Sequence, residues 1–381
     1  MGLAAAATLA VAGLAGCASA GGTTTADSVP AGSAAAPGLT QAAALQAFDG
    51  YVTTSNQAAG TNDGKLALSV VTGPEQSLVS AVLGSHAVTV AGGSGDGGAY
   101  SSSLTITPDL TLYRYGAPTF YLPEASGYPR FFLADVTRGP VQKSFTPGDP
   151  DATTSVGGAQ VPVDGRVLMV FEQSAAAGPW QLASVAQFPA GTALPQLATD
   201  KNGYVPQASL TSTDLLAQPY ATGPLQAAVV DDGPASAAAK AVAAGPLTTG
   251  LYQAARERTA NELEVPAGDV YQWSMEGTPY PTLALRTADG GALVLYAMYL
   301  NSTVAVPGYF DEASPVNPGP PITVPPGVLA QLPSGQPAPR IKLEAQSLFS
   351  FAAIDPPASP ASPAKITVLA IGGALNYASA S

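Results

Sequence analysis

The sequence predicts an α+β protein in two similar halves, residues 39–200 and 201–381. Each half opens on a stretch of helical periodicity and passes into runs whose apolar residues alternate with period two. Each half also holds a long proline-rich loop between its strands. Helices set ahead of meandering antiparallel strands are the α+β pattern. The 41 Gly and 36 Pro among 381 residues add frequent turns and short helices.

Residues 1–16 read as a signal peptide. The apolar run Leu3 to Leu14 falls short of the ~20 residues that span a bilayer, but has the length of a signal-peptide core. It ends in Leu14-Ala15-Gly16-Cys17, which resembles the lipobox of bacterial lipoproteins, where the chain is cut before a cysteine that takes a lipid. Cys17 is the only cysteine in the chain, and it is the expected lipidation site. No Lys or Arg precedes the run, which predicts a natural start further upstream. Residues 17–38, after the cysteine almost all Ala, Gly, Ser, Thr and Pro, form a flexible linker with a reach on the order of 25 Å.

In the first half, Thr40 is the expected N-cap of a helix over 42–59, with apolar positions at Leu45, Phe48, Tyr51 and Val52. A shorter helix or turn follows over 66–71, closed by Thr72-Gly73-Pro74. Strands are expected over 87–91, 103–107, 111–115, 128–136, 166–171 and 180–188, with a long loop from Thr137 to Asp164. In the second half a patchy helical stretch over 235–258 breaks at Gly245-Pro246. Strands follow over 270–275, 282–287, 292–300, 340–351 and 365–377. The Thr287–Gly291 segment is a tight hairpin signal, and a proline-rich loop runs from Val304 to Pro339. Arg340 to Gln346 alternates polar and apolar, giving one wet face. Ala292 to Leu300 is apolar at both parities, which predicts cover on both sides, as at an interdomain or homodimer contact.

Composition narrows the chemistry. Hydrophobic residues make up 46%, enough for packed cores, while charged residues are only 10% against roughly 25% in ordinary domains. A net charge of −12 disfavours nucleic acid and anionic headgroups. With Cys17 committed to a lipid, no thiol remains for catalysis, disulfides or zinc. His86, the one histidine, sits at the start of a strand with no partner in the pattern. The glycine-rich Gly93–Gly98 leads into a strand rather than a helix, so it lacks the N-terminus that receives a pyrophosphate. Ser362-Pro-Ala-Lys365 has no accompanying β-lactamase-type motifs. Asp149, Asp151, Asp231 and Asp232 lack calcium-loop spacing. No catalytic residue, metal or cofactor is assigned.

The strongest remaining feature is aromatic. Tyr113, Tyr121, Tyr128, Phe132 and Trp180 gather in the first-half sheet beside the scarce cations Arg114 and Arg130, and these seven are the candidate ligand-binding residues. Trp180, Leu182, Ser184, Ala186 and Phe188 alternate onto one strand face with small residues in the middle, which predicts a concave site between sheet and helix.

Several stretches resemble a family of uncharacterised actinobacterial lipoproteins: Tyr51 to Asn56 (YVTTSN), Val71 to Pro74 (VTGP), Phe120 to Pro123 (FYLP), Gly127 to Phe132 (GYPRFF), Gly178 to Trp180 (GPW) and Leu285 to Ala292 (LRTADGGA). The resemblance implies tandem cystatin-like or NTF2-like folds, each a helix packed on a curved antiparallel sheet, and carries no activity with it. The reading is an exported protein anchored through Cys17 to the outer face of the cytoplasmic membrane. It acts as a non-catalytic module that binds an envelope protein or a small apolar ligand. The alternatives are a cell-wall hydrolase with paired carboxylates and a structural subunit.

Overall fold

The structure is a computed structural model that describes residues 38–90, 104–106, 110–124, 127–141, 153–156, 159–162, 164–260, 269–310, 316–322, 324–359 and 364–381. Cys17 with its signal and linker, Gly93–Gly98, Asp149, Asp151 and Ser362 lie outside the described residues. Pro37–Ser381 form one compact unit.

Helix α1 (Gln41–Thr61) begins at Thr40, whose side chain accepts the Ala43 N–H, as its position predicts. Its buried stripe is Ala44, Phe48, Tyr51 and Ala58; Leu45 points away and is 44% exposed. Asp63 caps the short α2 (Gly64–Ser69) by accepting the Leu66 N–H. Thr72-Gly73-Pro74 does not close the helical region. It opens a third helix, α3 (Gly73–Gly84), because proline in a first turn gives up an N–H that has no partner there anyway. Gly73 takes φ +53°, a turn that glycine makes at no steric cost.

The strands of the first half are β1 (Val88–Val90), β2 (Leu104–Ile106), β3 (Tyr113–Tyr115), β4 (Thr119–Tyr121), β5 (Arg130–Pro140), β6 (Thr153–Val156), β7 (Ala159–Pro162), β8 (Gly165–Gln173) and β9 (Gln181–Gln187). The expected loop from Thr137 to Asp164 is thus partly strand, because β5 runs on to Pro140 and β6–β7 form a hairpin. The second half opens on α4 (Thr222–Asp232), which the periodicity does not flag, followed by a 3-10 turn at Ala237–Lys240 and α5 (Thr249–Ala260), beyond the Gly245-Pro246 break. Then come β10 (Val270–Gly277), β11 (Leu283–Arg286), β12 (Ala292–Ala305), α6 (Pro326–Leu329), β13 (Lys342–Asp355) and β14 (Thr367–Ala380).

One ten-stranded antiparallel sheet serves both halves, in the order β10-β12-β13-β14-β9-β8-β5-β3, with β11 also on β12 and β4 also on β5. The halves repeat one plan. In each, two short strands share the outer side of the first long strand, the earlier at its C-terminal end and the later nearer its N-terminus. An insert and two further antiparallel strands follow. The final strands, β9 and β14, meet through Ile371 and Gln187.

Alternation along these strands sorts most of the core into three layers, with a smaller fourth cluster of Ile322, Leu332, Leu343 and Ala378. Phe132, Ala134, Val167, Met169 and Phe171 face α1. Val294, Tyr296, Met298, Phe349 and Phe351 face α4 and α5. Phe131, Leu133, Leu168 and Val170 turn the other way and meet Leu285, Leu293, Leu295 and Ala352 from the second half. The two halves of the sheet therefore pack on each other with helices outside, and β12 is buried on both faces from Ala292 to Met298.

The expected shared face from Trp180 to Phe188 is not formed. Val170 pairs with Ser184 and Phe171 with Leu182, so Ala183 is an extra residue in a β-bulge and the alternation flips across it. Trp180 and Leu182 face α1, whereas Ala183, Ala186 and Phe188 face the central layer.

Candidate functional site

A cavity of about 250 Å³ lies where α1, α2 and α3 leave the sheet uncovered near β3, β9 and β14. Its position follows from how α3 is held. Thr72 N–H donates to the Leu182 carbonyl and Leu182 N–H to the Val70 carbonyl, while the Gln181 side chain donates to the carbonyls of Ser69 and Val71. The Ser77 hydroxyl hydrogen-bonds the Tyr280 hydroxyl at 2.6 Å, fixing α3 to the second half. The far wall is Gly372 and Gly373 on β14. A Cβ on Gly372 would stand 2.0 Å from the Val185 carbonyl oxygen, so only glycine lets β14 approach β9 this closely.

Most of the wall is apolar: Ala59, Ala67, Val70, Val71, Leu78, Val79, Val82, Leu110 and Val185. Against it stand six polar side chains, Tyr51 and Ser55 of α1, Glu75 of α3, Thr111 just ahead of β3, Tyr113 of β3 and Arg138 of β5. Arg138 places its guanidinium over the Tyr113 ring, 4.4 Å from the centroid. Among the described residues that guanidinium makes no hydrogen bond or ion pair. Burial lifts the Glu75 carboxyl to about 7, against the opposing pull of Arg138 and of a hydrogen bond from the Val185 backbone. Burial also raises the Tyr51 and Tyr115 hydroxyls. Glu75 is thus available as a neutral acid near pH 7, beside a guanidinium that stays charged.

The seven sequence candidates do not converge here. Tyr113 alone lines the cavity. Phe132 is fully buried, stacked on Phe171 with centroids 4.8 Å apart and edge-on to Phe120 and Trp180, so it and Trp180 build the core under α1. Arg114 pairs with Asp164 on the exposed side of β3. Tyr121 packs against the central layer beside the Asp135–Arg166 pair. Tyr128 covers Arg130 at 4.6 Å, at the start of β5.

Glu75 and Arg138 escape the sequence reading for plain reasons. Glu75 falls just past a Gly-Pro that reads as the end of a helix, and Arg138 falls within the stretch read as loop. The signal that could have marked Glu75 is the apolar spacing behind it, Leu78, Val79 and Val82 at helical intervals.

The other motifs serve structure. The backbone N–H of His86 donates to Ala330, Lys365 Nζ to the Ala239 carbonyl, and Asp231 Oδ1 accepts the Met275 N–H. Among the described residues no group of three or more His, Cys, Asp or Glu could hold a metal ion, and no helix is long and apolar enough to cross a membrane.

A family model described as a domain of unknown function, DUF8094, matches residues 35–371 and so spans both halves. The chain is 25% identical to an uncharacterized lipoprotein of Streptomyces avermitilis over 264 residues, 69% of this chain and 66% of that one. It is 26% identical to an uncharacterized lipoprotein of Streptomyces coelicolor over 263 residues, 68% of this chain and 66% of that one. The match thus covers just under two thirds of each relative's length. No solved structure matches the chain.

Proposed function

The chain belongs to the DUF8094 family, and from that premise we propose that it is a lipid-anchored envelope protein whose first half binds a small, largely apolar ligand without catalysing a reaction. The observation that carries this is the cavity between α1–α3 and the sheet, with apolar walls and a few polar groups, the make-up of a ligand pocket. Anchoring through Cys17 on the outer face of the cytoplasmic membrane is supported by the lipobox-like Leu14–Cys17 and by the lipoprotein names of the Streptomyces relatives. Against a paired-carboxylate hydrolase stands the cavity lining, in which Glu75 is the only acid. We also propose that the halves 39–200 and 201–381 descend from one cystatin-like or NTF2-like unit; the repeated strand plan supports this.

Two measurements test the reading. Labelled fatty acid should enter the wild-type chain and not Cys17→Ser, which should leave the membrane fraction; unchanged labelling would overturn the anchor. An organic extract of the purified full chain should contain one small molecule in near-stoichiometric amount by mass spectrometry. An empty extract, together with no stabilisation by any of a panel of small amphiphiles, would overturn ligand binding.

A further inference from the structure

Resting on the binding reading above, we propose that the cavity selects an amphipathic monocarboxylate, with Arg138 taking the carboxylate and the α2–α3 side of the wall taking a short hydrocarbon tail.

The argument starts from what the cavity leaves uncompensated. A guanidinium facing a mostly apolar space has lost part of its hydration, and Tyr113 returns some of that through its ring face only. Its in-plane N–H donors have no partner among the described residues, and their fork geometry suits a carboxylate. In a chain of net charge −12, a lone cation at the mouth of an apolar cavity is also the local feature that would draw an anion in.

Charge and size narrow the class. A phosphate monoester carries about −1.5 to −2 near neutrality and would meet Glu75 with a single guanidinium to offset it, so a monoanion fits better. A cavity of roughly 150 Å³ holds benzene. The 250 Å³ here therefore suits about ten non-hydrogen atoms, the size of a medium-chain carboxylate. Leu78, Val79 and Val82, one face of α3, line the space that the tail would occupy.

Glu75 gives the site a pH dependence. The ionisable groups facing it are Tyr51 on α1, Tyr115 on β3 and Arg138 on β5; its neighbours lining the cavity from α2, β9 and β14 are apolar or backbone. The tyrosines stay neutral and Arg138 stays charged across pH 5–9, so Glu75 is the group that titrates. Below about 7 it is neutral and can donate a hydrogen bond to a carboxylate; above, it is an anion competing for Arg138.

The test uses the full chain carrying Cys17→Ser, titrated calorimetrically with octanoate, 1-octanol and octylamine at pH 6.0 and 8.5. Octanoate should bind at pH 6.0, with octanol about tenfold weaker and octylamine weaker still. Octanoate affinity should fall at pH 8.5, and Glu75→Gln should flatten that dependence. Arg138→Met should remove the preference for octanoate over octanol, whereas Arg138→Lys should keep part of it. Equal affinity for octanoate and octanol in the native chain, or octanoate binding untouched by Arg138→Met, would overturn the assignment. If Arg138→Met fails to fold, the octanoate-to-octanol ratio of the native chain decides alone. A neutral molecule in the organic extract, with no octanoate binding, would leave the binding reading standing and sink this inference.

Discussion

Under α1–α3 the space between helices and sheet is a cavity edged by Glu75 and Arg138. Under α4 and α5 the corresponding space is filled. There Tyr296 stacks on Phe351 with centroids 5.6 Å apart, and its hydroxyl donates to Gln226, whose amide donates in turn to the Leu247 carbonyl. Gln226 is wholly buried and hydrogen-bonded through both its amide nitrogen and its amide oxygen, so this polarity ties a packed core together. The first-half polarity does the opposite. Glu75 and Arg138 are partly taken from water without a direct ion pair, a cost that the Tyr113 ring and the Val185 backbone offset only in part. One strand plan therefore supports two outcomes. Where a buried polar chain ties helix to sheet the interface is architecture, and where a guanidinium and a carboxyl face open space a ligand has something to complete.

The contrast can be broken or sharpened by mutation. Tyr296→Ala should cost about 3–5 kcal/mol, because a stacked and hydrogen-bonded ring leaves a cavity in a packed layer. A urea denaturation midpoint near wild type would show that the second interface is as plastic as the first. Gln226→Leu should cost about 1–3 kcal/mol by leaving the Leu247 carbonyl and the Tyr296 hydroxyl without partners. A stabilised variant would show that the polar link is dispensable.

Asp355 offers a third comparison, a fully buried carboxyl at the end of β13 whose Oδ1 accepts the Ala217 N–H. Burial lifts it to about 6. Since that exceeds the unfolded value near 3.9, its contribution to stability is present below pH ~4 and is lost as pH rises through about 6. Asp355→Asn, which keeps the acceptor and removes the titration, should gain about 1–2 kcal/mol at pH 7.5 and nothing at pH 4. An equal effect at both pH values would refute the titration account. The smallest change is expected from Leu78→Ala. On a cavity wall that is not tightly packed, it should cost less than about 1 kcal/mol in thermal melts. A loss matching that of Tyr296→Ala would mean that the wall is as close-packed as the second half.

Much of the fold was legible because periodicity is local. Thr40 caps α1 as its side-chain chemistry requires, and the apolar run from Ala292 is covered on both faces. Thr287 to Gly291 makes its tight turn, with Gly290 at φ +89°. What failed did so where one residue breaks the count or where tertiary contacts outweigh propensity. The extra residue at Ala183 swaps faces halfway along β9, so an alternation that looked continuous serves two different cores. The start of α3 looked like the end of a helix because Gly-Pro punctuates both, and only the bridge from Val71 to Leu182 decides which.

By itself the sequence determined the α+β class, the order of most elements and the single cysteine at 17, since each follows from composition and near neighbours. The tertiary structure alone decided that the two halves share a sheet and a central core, that Phe132 and Trp180 are packing, and that Glu75, Tyr113 and Arg138 face one cavity. That last juxtaposition depends on α3 settling across β9 and β14. Residues far apart in sequence meet there because Gly372 lets β14 come against β9 and Gly373 lets it lie close on β13, which no local pattern encodes.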